Sequence, residues 1–346
     1  MDAAVYRAPG EITIEARPVP AAGPGELVIA VEHCGVCGTD LHLMLEGWGR
    51  PGSIEGHEFA GTVVEVGPDV AGWSVGQRVV GGPAARCGRC RHCLAGRPSL
   101  CAERDTPGTQ VWQGAFAALK AIPAAEAIRV PDHLSLRAAA LAEPLAVALH
   151  ALTLAPVEPG QRVLVLGGGP IGALAVAVLR DRGVDHVVVC EPNQRRRDLA
   201  VRVGATATCL PDELEVPSIA EPGKVVDQAV DVVLECSGKV QAMEAGLAQL
   251  ERTGTLVLVG SGIEPPRFDP NRIVLNELVV TGAFCYDAGG FHDAVDLLAS
   301  GRLPVDDLIE PADVGLHGLL GALRGLAAGD IAGKVLVDPR LGATHA

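Results

Sequence analysis

The chain has 346 residues, long for one core and sufficient for two domains. Hydrophobic residues make up 48% and charged residues 20%, and the net charge of −14 disfavours nucleic acid and anionic membrane surfaces as partners. The opening MDAAVYRAPGEITIEARPVP has neither a basic start nor an apolar h-region, and the apolar stretch Ala138 to Ala155 is broken by Glu143, Pro144 and His150, so neither a signal peptide nor a membrane span is expected. Ten cysteines without an export signal point to a reducing cytoplasm.

Residues 1 to about 150 read as an all-β region. Leu27–Val31, Thr62–Val66 and Arg78–Val80 are strand-like, and Gly67-Pro68-Asp69 and Gly81-Gly82-Pro83 are turns. The run Cys34-Gly-Val-Cys37-Gly-Thr39-Asp40-Leu-His42 follows the first of these strands, and His57-Glu58 begins 20 residues beyond Cys37. A thiol, an imidazole and a carboxylate are what an open catalytic zinc site needs, and Glu143 in Ala142-Glu143-Pro144-Leu145 adds a second carboxylate. The Cys34–Cys37 pair lacks the βαβ surroundings of a redox motif.

Cys87, Cys90, Cys93 and Cys101 follow C-x2-C-x2-C-x7-C. Two residues between thiols let a turn aim consecutive sulfurs at one centre, and the fourth closes a tetrahedron around a structural zinc. Such a site carries a charge of about −2, which Arg86, Arg89, Arg91 and Arg97 are placed to offset.

Arg162-Val-Leu-Val-Leu-Gly167-Gly-Gly169-Pro170-Ile171-Gly172 is a buried strand running into G-x-G-x-x-G, with a helix expected over Ala173–Leu179. Gly167 serves the tight turn, Gly169 the approach of a pyrophosphate, and Gly172 helix–strand packing. The next strand, Val187–Glu191, ends in a carboxylate 24 residues after Gly167. An acid there takes the ribose hydroxyls and repels a 2′-phosphate, so NAD is favoured over NADP. Arg195 to Arg197 form either a solvated basic face or a contact with the adenosine end. A strand over Val230–Glu235, a helix over Val240–Leu250, strands over Thr255–Val259 and Leu278–Thr281, a helix over Phe291–Ser300 and a strand over Lys334–Val337 complete the expected order. The strand near Leu278 is expected at a sheet edge, where it could pair with a second subunit.

These motifs together resemble the zinc-dependent medium-chain dehydrogenase/reductase family, and within it the polyol, threonine and secondary-alcohol dehydrogenases. The resemblance runs in order through CGVCGTDLH, GHEFAGTVVEVG, CGRCRHCLAGRPSLC, AEPLAVALHA, VLVLGGGPIG and VDVVLECSG. It implies an α/β plus all-β protein: a GroES-like catalytic domain over 1–150 with a zinc lobe at 84–103, a Rossmann doubly wound parallel sheet over 151–286, and a segment over 287–346 returning to the first domain. It places a catalytic zinc on Cys37 and His57 with Glu58 or Glu143, and a structural zinc on the four-cysteine lobe. Thr39 would take the alcohol proton and His42 would pass it toward solvent. Asp40 is read as orienting His57 or packing. Gly167, Gly169, Pro170, Ile171, Gly172, Glu191, Arg196, Val259 and Phe284 would meet the cofactor. Trp48 either lines the substrate pocket or packs in the core. Cys285 stands where sorbitol dehydrogenases often carry arginine, which weighs against sorbitol. The reaction implied is NAD-linked, zinc-dependent oxidation of a secondary alcohol: a polyol, cyclitol, sugar or hydroxy-amino acid. The partner implied is a small alcohol or carbonyl substrate, and the assembly a homodimer or homotetramer. The competing readings are a primary-alcohol or aldehyde enzyme of the same family and a non-catalytic dinucleotide-binding protein.

Overall fold

In the computed structural model, which describes residues 1–82, 86–104, 111–262, 264–287 and 289–342, the chain forms two compact units. The first comprises Met1–Pro144, Asp287–Gly301 and Ile309–Ala346, and the second Leu145–Tyr286 and Arg302–Leu308.

The first unit is built from antiparallel strands. β1 (Asp2–Ala8) pairs with β2 (Glu11–Ala16). β3 (Glu26–Gly35), β4 (Glu58–Val66), β5 (Arg78–Gly81), β6 (Leu119–Pro123) and β7 (Ile128–Arg129) share one sheet. There β4 lies between β3 and β5, β7 lies beyond β5, and β6 pairs with Glu26–Ala30 of β3. Leu27, Ile29 and Val31 alternate along β3 and enter a core with Val63, Val79, Phe116 and Ile122. With so few aromatics, branched aliphatic side chains fill most of this core, as the composition requires.

The second unit is a parallel sheet. β8 (Arg162–Leu166), β9 (His186–Cys190), β10 (Ala207–Cys209), β11 (Val230–Glu235), β12 (Leu250–Leu258) and β13 (Val279–Gly282) lie in the order β10-β9-β8-β11-β12-β13. The order reverses beside β8, the topological switch point at which such sheets bind ligands. Val163–Leu166 and Val232–Leu234 are buried, as strands covered on both faces must be. β13 is an edge strand, as its sequence suggested.

Boundaries differ from the sequence reading: β3 runs on through Cys34 to Gly35, and β4 begins at Glu58 rather than Thr62. The helix after Val240 ends at Ala248, and β12 begins at Leu250 rather than Thr255. Exposed Glu251, Arg252 and Thr253, the last with φ +67°, give this start no apolar signature.

After a helix over Gly290–Ala299, the chain ends its regular structure in β14 (Leu336–Val337). β14 is shorter than expected: its ladder partners are Gly35 and Cys34 of β3, Val337 also bridges Val314, and Lys334 makes an isolated bridge to Ile309. Among the described residues no helix is long and apolar enough to cross a membrane.

Candidate active site and metal centres

The register of three neighbouring strands gathers the donors of the first unit. Gly35 of β3 lies opposite Glu58 of β4 on one side and Leu336 of β14 on the other. Cys37 comes just after β3, and His57 just before β4. Ligand atoms of Cys37, His57 and Glu58 therefore lie within 4.8 Å of one another. The approach depends on glycine at 35, where a Cβ would stand 2.1 Å from a Glu58 carboxylate oxygen.

Cys37 also caps the helix Gly38–Met44. Its sulfur accepts the Thr39 N–H at 3.5 Å, and its own N–H donates to Asp40 Oδ2 at 2.9 Å. Asp40 is fully buried; its Oδ1 lies 3.7 Å from His57 Nδ1, beyond hydrogen-bond reach. The capping role was missed in the sequence, although Cys-Gly-Thr-Asp has the spacing of a capping box.

Glu143 lies buried in the first turn of the helix Ala142–Leu154. Burial pushes its carboxyl up to about 7 against the favourable charge of His57. Burial opposes charge on His57 too, but Cys37, Asp40 and then Glu143 outweigh it and hold the imidazole well above its usual range. A half-buried thiol and imidazole set among buried carboxylates, gathering this much negative charge, suits a divalent cation.

Lys334 was not singled out in the sequence. It is 2% exposed, with Nζ 2.8 and 2.7 Å from the two oxygens of Glu58 and 3.0 Å from the Val36 carbonyl. Glu58 thus carries a buried counter-charge, whereas Glu143 has burial against it.

Thr39 Oγ1 lies 3.7 Å from Cys37 Sγ. His42, further along the same helix, shares no hydrogen bond with Thr39 among the described residues. Its Nδ1 is 2.6 Å from Glu46 Oε2, and its ring stacks on Trp48 with centroids 4.9 Å apart. Trp48 is 46% exposed, which corrects the core-packing alternative: it covers His42 at the surface.

In the cysteine lobe, ligand atoms of Cys87, Cys90, Cys93 and Cys101 also lie within 4.8 Å of one another. Backbone N–H groups of Cys90 and Cys87 donate to the sulfurs of Cys87 and Cys101 at 3.3 and 3.5 Å. Burial pushes Cys93 up to about 12, while the Cys93 and Ala102 backbones pull Cys90 down to about 6. Four such sulfurs ionise together only around a cation, so the donor set fits zinc. Arg89 pairs with Glu103 at 2.7 Å and also feels the charge of Cys87 and Cys101.

In the second unit, Gly167 has φ +98° between β8 and the helix Pro170–Asp181. A Cβ on Gly172 would stand 2.0 Å from the Gly167 carbonyl oxygen, whereas the space at Gly169, the helix N-cap, is open. Pro170 and Ile171 begin that helix. Glu191, 4% exposed, accepts the Gly168 N–H on one carboxylate oxygen and the Asn193 N–H on the other, each at 2.8 Å. Arg196 follows in the first turn of the helix capped by Asn193, and Arg197 donates to the Glu191 carbonyl at 2.7 Å. Val259 follows β12, and Phe284 follows β13 and is 43% exposed.

The fold and these donor sets define a dinucleotide-linked dehydrogenase carrying metal-binding cysteines. Residues 23–132 match the alcohol dehydrogenase GroES-like domain, and residues 170–300 match the zinc-binding dehydrogenase family. The chain is 32% identical over 308 residues to "Probable D-xylulose reductase A" of Aspergillus clavatus, covering 86% of each. It is 33% identical over 326 residues to the L-threonine 3-dehydrogenase of Marinomonas sp. strain MWYL1, covering 88% of this chain and 93% of that one. A protein of Sinorhizobium meliloti 1021, solved bound to NADP, superposes with a TM-score of 0.85 at 33% identity, over 98% of this chain and 99% of that one. The chain belongs to the zinc-dependent medium-chain dehydrogenases.

Proposed function

We propose that this protein oxidises a secondary alcohol and reduces the corresponding ketone, with NAD as partner and a polyol, cyclitol, sugar or hydroxy-amino acid as substrate. The observation that carries this reading is the convergence of Cys37, His57 and Glu58, with Thr39 beside Cys37. The relatives' names, a xylulose reductase and a threonine 3-dehydrogenase, both concern a hydroxyl on a secondary carbon or its ketone.

In this reading 1–150 is the catalytic domain and 151–286 the dinucleotide domain, with 287–346 returning to the first. Cys37 and His57 hold the catalytic zinc. Glu58 or Glu143 completes the set: Glu58 groups with the other two donors but is shared with Lys334, and Glu143 is a buried carboxylate whose charge is felt by His57. Zinc there supplies Lewis acidity toward a substrate oxygen, and NAD supplies the hydride acceptor. Thr39 Oγ1 takes the substrate proton and His42 carries it toward solvent. The Cys87–Cys101 lobe holds a structural zinc. Gly167 to Gly172 receive the pyrophosphate at the helix start, and Glu191 takes the ribose hydroxyls. Arg196, Val259 and Phe284 complete the cofactor contacts. The setting is a reducing cytoplasm, where the thiols stay available for metal. The assembly is a homodimer or homotetramer built along the β13 edge, where Val274, Leu275 and Val279 are 72%, 59% and 49% exposed.

The test is initial rates with NAD and NADP on polyols, cyclitols, aldoses, threonine, 2,3-butanediol and simple alcohols, with C37S and E191A alongside. NAD-linked turnover of a secondary alcohol is expected. C37S should abolish turnover while NADH still binds, and E191A should narrow the NAD preference. Activity retained by C37S would remove the zinc assignment.

A further inference from the structure

His42 makes two contacts that the proposed proton path does not use. Its Nδ1 is 2.6 Å from Glu46 Oε2, one helical turn further on, and its ring lies against Trp48 at an interplanar angle of 21°. The side chain of His42 is 18% exposed and that of Glu46 41%. The chain reaches this geometry locally. The helix ends at Met44, Leu45 serves as its C-cap, and the Trp48 N–H donates to the His42 carbonyl at 3.1 Å, folding the indole back over the ring.

A neutral imidazole carries its proton on one nitrogen and accepts on the other. A carboxylate at Nδ1 selects the tautomer protonated there and leaves Nε2 as the acceptor. That is the tautomer a relay histidine needs. The logic is that of the carboxylate behind a catalytic histidine in hydrolases: it orients the ring without reacting.

We propose that Glu46 is a positioning residue for alcohol oxidation, fixing the tautomer and orientation of His42, with Trp48 stacked on the ring. The inference rests on the relay reading given above. It adds the residue that determines which nitrogen of His42 receives the proton.

The test uses the zinc-loaded full chain and two readouts. The first is 15N-detected NMR of the His42 ring, assigned by its loss in H42Q. The second is steady-state and single-turnover oxidation of the best alcohol, comparing wild type, H42Q, E46Q, E46L and E46D. In wild type His42 should carry its neutral proton on Nδ1, and in E46L that preference should be lost. E46Q and E46L should lower the hydride-transfer rate about tenfold, a part of the full general-base contribution. KM and NADH affinity should stay within about twofold. E46D should recover part of the rate. An Nδ1–H tautomer and wild-type rate persisting in both E46Q and E46L would overturn the role of Glu46. A wild-type rate in H42Q would remove the relay itself, and this inference with it. A normal H42Q loss beside unaffected Glu46 variants would overturn the inference alone.

Discussion

Lys334 carries a full charge to a place with almost no water. Its partner Glu58 is 0% exposed, so neither ion can fall back on solvent if the other is removed. K334M would strand a buried carboxylate, and removing one member of a buried pair typically destabilises by about 3–5 kcal/mol. The loss should appear as a lower urea midpoint in metal-stripped protein. It should shrink when zinc is present, because Glu58 can then turn to the cation. An equal midpoint for K334M and wild type without metal would show that the pair is not a net stabiliser. In the dinucleotide unit, G172A places a carbon 2.0 Å from the Gly167 carbonyl oxygen, a contact with backbone that no rotamer relieves. The helix must move off the strand. The expected result is a loss of about 1–3 kcal/mol in stability and a marked loss of NADH affinity by fluorescence titration.

At the scale of elements, the cysteine lobe has little but its sulfurs to hold it. The helical turn Arg91–Leu94 buries no residue, and Leu94 is 75% exposed. Where an apolar core is missing, metal binding supplies the folding free energy. C93S should therefore lose one zinc ion by metal analysis. Amide protection should vanish across 87–101 while β8 to β13 exchange as in wild type. Protection retained in the lobe without its metal would show that side-chain packing suffices. The spacing of these cysteines made the lobe readable from sequence, because the information is local. So were β11 and the strand into Gly167, whose apolar runs are unbroken. What escaped depends on register between distant segments. Lys334 finds Glu58 across 276 positions, and a lysine beside Val335, Leu336 and Val337 gives no sign of burial on its own. The start of β12 escaped because Glu251 and Arg252 belong to a strand while facing water. Glu46 escaped because an acid four positions after a histidine, just past a helix end, reads as ordinary solubility.

For the whole molecule, the exposed apolar residues beside an unpaired strand edge carry the proposal of assembly. An unprotected edge is a template for a further strand. V279D together with L275D should turn a homo-oligomer into a monomer of 35.6 kDa by light scattering after size exclusion. An unchanged mass would place the subunit contact on another face.

The pairing of β14 with β3 also sets an order of events during synthesis. Val36 and Lys334 are 298 positions apart, roughly 15–60 s of translation at ~5–20 residues per second. All six strands of the parallel sheet leave the ribosome within that interval and can close on one another. Cys37, His57 and Glu58 are by then already made, yet Lys334, the partner of Glu58, is not. The buried Glu58 thus gains its counter-charge only after all six strands of the parallel sheet have been made, when Lys334 arrives just ahead of the last short strand.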